Sequence, residues 1–199
     1  FKQGKAVFQD LLYETIEEPG SSSSSGVIRP SGIQVGSGTR IVSTPSVFNQ
    51  GVLEQTGRDL DVSIEGDGFF EVALGNGETA YTRGGSLAVN ADGDLVTQSG
   101  DVIQPSVNIQ PGTQNISIGT DGAISGVPPG ATEATDLGAQ ITLSIFPNAS
   151  GLRNLGRNLY QATEASGTAT SVTPGTEGSG TLRQGFLEGS NVNVAEELI

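Results

Sequence analysis

The sequence predicts an all-β chain: an antiparallel sandwich or barrel-like domain with an extended N-terminal arm and the start of a C-terminal helix. Three observations carry this. Apolar and polar residues alternate with period two, as half-buried strands require. Turn dipeptides recur at close spacing between the alternating runs. Glycine supplies 30 of 199 residues, roughly twice average usage. The arm is expected over 1–45, the β domain over 46–190 and the helix start over 191–199.

At the N-terminus, Val7/Phe8, Leu11/Leu12 and Thr15/Ile16 recur at helical spacing and predict a helix over 6–17, stopped by Pro19-Gly20. Ser21 to Ser25 and Gly26 form a low-complexity flexible tip. Leu60 to Glu65 then alternates strictly and reads as a half-buried strand. In Phe69 to Leu74 the residues Phe70, Val72 and Leu74 share one face. Ile141 to Ile145 repeats the alternation, and shorter candidates are Val102-Ile103, Ile116 to Ile118 and Leu182 to Leu187. Asp67-Gly68, Asn76-Gly77, Asp92-Gly93 and Asp121-Gly122 supply tight turns, because glycine accepts positive φ. Gly126 to Gly138 and Glu164 to Thr181 read as surface loops. Finally, Asn193-Val194-Ala195-Glu196 makes a capping box, followed by the apolar stripe Val194/Leu198 and Ala195/Ile199. A helix so capped and so short is expected to continue in a longer protein, of which this chain, starting at Phe1, reads as a trimmed piece.

Composition excludes much chemistry. There is no Cys, His, Met or Trp, so zinc sites, haem histidine ligands, disulfides and Cys–His or Ser–His nucleophile pairs are ruled out. Any metal would need an all-oxygen site. The net charge is −13, which keeps a protein soluble and argues against nucleic acid and against anionic membrane surfaces. The two lysines, Lys2 and Lys5, sit at the N-terminus and the seven arginines are scattered. No apolar run approaches the ~20 residues a membrane helix needs, so no membrane insertion is expected.

The motifs that could carry chemistry have blander explanations. Gly75-Asn76-Gly77-Glu78-Thr79-Ala80 spells a dinucleotide fingerprint, but Tyr81-Thr82-Arg83 follows where a helix is needed, so it reads as a hairpin turn. Asn90 to Asp94 spaces oxygen side chains like the start of a calcium loop, yet Leu95 replaces the required glycine and Asp101 the longer glutamate. Asp59/Asp61, Glu65/Asp67 and Asp92/Asp94 are carboxylate pairs without the aromatic platforms of a glycosidase. No catalytic residue, cofactor or metal ligand is assigned. A calcium-binding or adhesive extracellular β module stands as the alternative reading.

Several segments together resemble the axial proteins of the bacterial flagellum, the rod and hook subunits. They are Gly66 to Val72, Tyr81 to Leu87, Asp92 to Thr97, Pro105, Phe146 to Leu152, Gly156 to Tyr160 and Ser190 to Leu198. The N-terminal stretches Phe1-Lys2, Phe8 to Ile16, Pro19-Gly20 and Pro30 to Arg40 are similar to the distal-rod branch of that family. Leu87 stands where an aromatic is usual, and Arg29 where an apolar residue is common. The resemblance implies a non-enzymatic structural subunit of the distal rod in the basal body, between periplasm and outer membrane. It implies export without a cleaved signal peptide and helical stacking into a hollow, torque-transmitting shaft. The implied partners are copies of itself, proximal rod and hook subunits and surrounding basal-body ring proteins. Family members hold much of the arm extended rather than helical. Tyr13, Ile16, Pro19, Pro30 and Arg40 in the arm, with Val194 and Leu198 in the terminal helix, are the expected subunit contacts.

Overall fold

The computed structural model describes residues 2–17 and 33–192. The architecture is antiparallel β, in two compact units: Gly4–Val47, and Phe1–Gln3 together with Phe48–Ile199.

In the smaller unit, β1 (Val7–Asp10), β2 (Tyr13–Glu17), β3 (Ile33–Gly36) and β4 (Thr39–Ser43) form a two-stranded ribbon. β1 pairs with β4 and β2 with β3. The ladder runs through the junctions, where Leu11 N donates to Gly38 O at 2.8 Å and Ser37 N to Leu12 O at 3.0 Å. The helix expected over 6–17 is therefore overturned. A helix that short is marginal in water, whereas Val7, Phe8, Tyr13, Thr15 and Ile16 suit a pleated strand and the returning strand satisfies their backbone. The Ser-rich tip and the C-terminal capping box lie outside the described residues.

The larger unit contains β5 (Leu53–Gln55), β6 (Val62–Glu65), β7 (Phe70–Ala73), β8 (Thr79–Thr82), β9 (Leu87–Val89), β10 (Leu95–Thr97), β11 (Val102–Gln104) and β12 (Gln114–Ile118). It continues with β13 (Ala123–Val127), β14 (Thr135–Gln140), β15 (Leu143–Ile145), β16 (Arg153–Gly156), β17 (Leu159–Gln161), β18 (Thr170–Val172), β19 (Thr181–Gln184) and β20 (Phe186–Glu188). A seven-stranded sheet runs β16-β17-β8-β7-β11-β10-β9, and β12-β13-β14 form a second. Pairs β15-β18, β6-β19 and β5-β20 complete the unit. β6 is tied beside the large sheet by Val62 N donating to Gly85 O at 2.8 Å, and β15 by a reciprocal pair, Phe69 N to Ser144 O at 3.0 Å and Ser144 N to Phe69 O at 2.8 Å.

Four hairpins share one turn. In Leu74–Glu78, Asn90–Asp94, Thr97–Asp101 and Gly119–Ala123 the fourth residue is a glycine with φ between +82° and +91°. Its N–H returns to the first residue's carbonyl. Three-residue hairpin loops with a left-handed glycine have this form. Asp67-Gly68 differs from the expectation: it joins β6 to β7, which pair with other strands. The expected single strand Leu182 to Leu187 breaks at Gly185 (φ +75°) so that β19 pairs with β6 and β20 with β5. Both expected loops carry structure. β13 runs on to Val127 and β14 occupies Thr135–Gln140, while β18 lies within 164–181.

The main core gathers Val62, Ile64, Phe70, Val72, Leu87, Leu95, Ile103, Ile124, Ile141, Leu143 and Leu182, all essentially inaccessible. Leu87 fills its position as a core aliphatic. The strand expected to be half-buried at 60–65 is covered on both sides, since Asp61 and Ser63 are each 1% exposed.

Candidate functional site

The ribbon is the chain's most unusual surface. Of the twelve large apolar side chains that stand exposed among the described residues, ten lie on it: Val7, Phe8, Leu11, Leu12, Tyr13, Ile16, Ile33, Val35, Ile41 and Val42. Leu12 is 82% and Ile16 63% exposed. Isolated two-stranded ribbons are marginal in water, and contiguous exposed apolar surface marks an interaction site. Register organises the surface. Phe8 sits opposite Ile41 and Gln9 opposite Arg40, and Tyr13 faces Gly36. A Cβ at Gly36 would lie 2.9 Å from Tyr13 Cε1, so the missing side chain is what lets the ring lie across the partner strand. Tyr13, Ile16 and Arg40 are thus brought onto one ribbon. Pro19, Pro30, Val194 and Leu198 lie outside the described residues.

Two side-chain groupings in the larger unit leave no mark in the sequence pattern. Phe69, Tyr81, Leu152 and Tyr160 form a second core with Phe48 and Phe146. Their rings meet edge to face at 4.8 to 6.1 Å, and burial pushes both tyrosine hydroxyls up. The Arg83 guanidinium caps Phe69 at 5.9 Å from its centroid, a cation–π distance. Beside it stands an ion cluster. Glu188 Oε1 accepts from Lys2 Nζ at 2.7 Å and from Gly51 N at 2.9 Å, and Oε2 accepts from Arg83 Nε at 2.9 Å. The Lys2 and Arg83 side chains are 6% exposed and that of Glu188 4%. Burial drives the Glu188 carboxyl upward, but the bonds from Arg83 and Lys2 outweigh it and hold the group below the ordinary carboxylate value. Burial lowers the Lys2 ammonium by more than Glu188 restores. The two directions agree physically, since two cations share one carboxylate. No sequence signal links residues 105 and 186 positions apart.

The acidic motifs have structural partners. Asn90 Oδ1 accepts from the Asp92 and Asp94 amides, and Asp94 Oδ1 accepts from Asn108 Nδ2 at 3.0 Å, so the calcium-like stretch is a side-chain-braced hairpin turn. Asp61 accepts from Ser86 Oγ at 3.0 Å, and Glu65 stands 4.0 Å from Arg183. The dinucleotide-like glycines make the β7–β8 hairpin. Among the described residues no three acidic side chains gather as a metal site.

Comparison with known proteins points one way. A family model described as the flagellar hook protein FlgE/F/G D1 domain matches residues 63–126. The flagellar basal-body rod protein FlgG of Buchnera aphidicola subsp. Schizaphis graminum is 49% identical over 199 residues, covering 100% of this chain and 76% of the relative. Its namesake in Borreliella burgdorferi is 41% identical over 100% of this chain and 76% of the relative. That of Bacillus subtilis is 36% identical over 99% and 75%.

Proposed function

The chain belongs to the family of flagellar basal-body rod proteins, and on that premise we propose that its ribbon is the arm by which one rod subunit grips the next. The protein is a structural part of the flagellum. The observation that carries the proposal is the concentration of exposed apolar side chains on the ribbon. Burying such surface against neighbours is favourable at roughly 25 cal/mol per Å², and many small contacts along a ladder held between neighbours resist twisting. Copies stack helically into a hollow shaft that carries torque toward the hook. The neighbours are other copies of the chain, proximal rod and hook subunits and the surrounding ring proteins. The subunit works without catalysis, in the rod between periplasm and outer membrane, reached without a cleaved signal peptide. The residues through which it contacts neighbours are Tyr13, Ile16, Pro19, Pro30 and Arg40 in the arm, with Val194 and Leu198 near the end of the chain.

The test joins this chain to the terminal segments its relatives carry beyond the matched span and follows polymerisation by sedimentation. Leu12→Asp with Ile16→Asp places two charges on the ribbon and is expected to abolish the pelleting fraction while the soluble chain keeps its fold. Polymer formation indistinguishable from the parent refutes the ribbon's role.

A further inference from the structure

The Glu188 carboxylate joins four stretches of chain. It takes Lys2 from the N-terminal segment, Gly51 from the approach to β5, and Arg83 from the end of β8, while sitting on β20. The two cations are held unequally. Arg83 also donates to Gly68 O and Gly66 O, each at 3.0 Å, so its position survives loss of the carboxylate. Lys2 Nζ keeps the Asn49 carbonyl, at 2.8 Å, at the end of a flexible stem near the start of the chain. The next residue is tied through its backbone, Gln3 N donating to Asn191 Oδ1 at 2.8 Å.

Among the described residues, Glu188 is the carboxylate in ion-pair contact with both Lys2 and Arg83, while Asp67, which lines a neighbouring pocket with Arg83, makes no such contact. The small cavity beside the cluster is lined by Lys2, Arg83, Asn158, Tyr160 and Glu188, and a phenol is neutral over the acid range. On β5, Glu54 is exposed and pairs opposite Leu187, its carboxylate lying against Gly189 rather than bonded to Lys2 or Arg83. On β6, Glu65 is turned to Arg183, and Asp61 just before it is engaged by Ser86.

We propose that Glu188 is an acid-released clamp: protonating its carboxylate frees Lys2 and the segment around it from the domain while the core stays folded. A neutral acid leaves two buried cations facing each other, and an unpaired buried charge is strongly unfavourable. Lys2 relieves this by swinging into water. The direction of the pH effect is fixed by the bonds. Because Arg83 and Lys2 hold the carboxyl below its ordinary value, the clamp is fully formed above the ordinary carboxylate range. It is lost as pH falls through the lowered folded value. The clamp lies within the domain itself and works whether or not the ribbon grips neighbours.

Amide NMR of the 199-residue chain between about pH 7 and about pH 2.5 tests it, a span that brackets the carboxylate range. The Gly51 and Gln3 amides are expected to titrate together, with a midpoint below the unperturbed Glu value of about 4.3. Gln3 exchange, corrected for its intrinsic pH dependence, is expected to rise roughly tenfold or more across the step as local opening sets in. The Val62 and Ile64 amides are expected to stay put. Glu188→Gln removes the charge with little change of shape and is expected to show the released Gln3 signal at neutral pH with no step below it. Should that variant fail to fold, Lys2→Met is expected to move the Gly51 midpoint to higher pH, since the carboxylate has lost a donor. Flat Gln3 and Gly51 signals, a core that melts at the same midpoint, or an unmoved Gly51 midpoint in Lys2→Met overturns the proposal.

Discussion

Phe69 and Phe70 are sequence neighbours that serve different cores. Phe70 is fully buried in the aliphatic core, and Phe69 is 3% exposed at the hub of the aromatic one. Period-two alternation correctly places Phe70 and Val72 on one face, but it assigns the opposite face to solvent. What it misses is a second layer of side chains brought from residues 48, 146, 152 and 160. Asp61 and Ser63 mislead for the same reason, since a polar letter says nothing about a partner such as Ser86 or the Arg183 carbonyl. Phe69→Ala is expected to cost about 3–5 kcal/mol in denaturant unfolding, as buried aromatic truncations do. Phe8→Ala on the open ribbon is expected to stay within about 0.5 kcal/mol. Gly85→Ala is expected to destabilise more than either, because a Cβ there would run into the Val62 carbonyl. Comparable losses for Phe69→Ala and Phe8→Ala would undo this division of labour.

At the level of elements, the hairpins are the most legible feature. A glycine at the left-handed position is a local demand, so Asn76-Gly77, Asp92-Gly93 and Asp121-Gly122 mark their turns without help from the rest of the fold. The ribbon is the least legible. Val7/Phe8, Leu11/Leu12 and Thr15/Ile16 satisfy a helical spacing only because both faces of the strand are apolar, and periodicity cannot separate those cases. The decisive partner, Ile33–Ser43, lies across the intervening tip. A ribbon with so little burial has little to hold it closed in the free chain. Amide exchange over 7–17 and 33–43 is therefore expected to be at least about tenfold faster than in β6 or β7. Equal protection across both units would mean that the ribbon is stabilised by something other than its own ladder.

For the molecule as a whole, composition leaves out the chemistry of Cys and His, and several of its carboxylates, Asp61, Glu65, Asp94 and Glu188, have side-chain partners within the fold. The acid-rich turns give a direct check on the binding-module alternative. Calcium at about 5 mM is expected to leave the melting temperature within roughly 1 °C, because a ligand that recognised the native state would raise it. A rise of several degrees would restore that alternative. The rod assignment, by contrast, is legible only through segments whose order along the chain matches a known family, and it is carried by relatives aligned over the whole chain. Imaging an assembled polymer at residue resolution decides whether the exposed ribbon couples one rod subunit to another. Phe8, Leu12, Tyr13 and Ile16 are predicted to be buried against neighbouring subunits. A polymer whose subunits join through other surfaces, with those four side chains still in water, would contradict it.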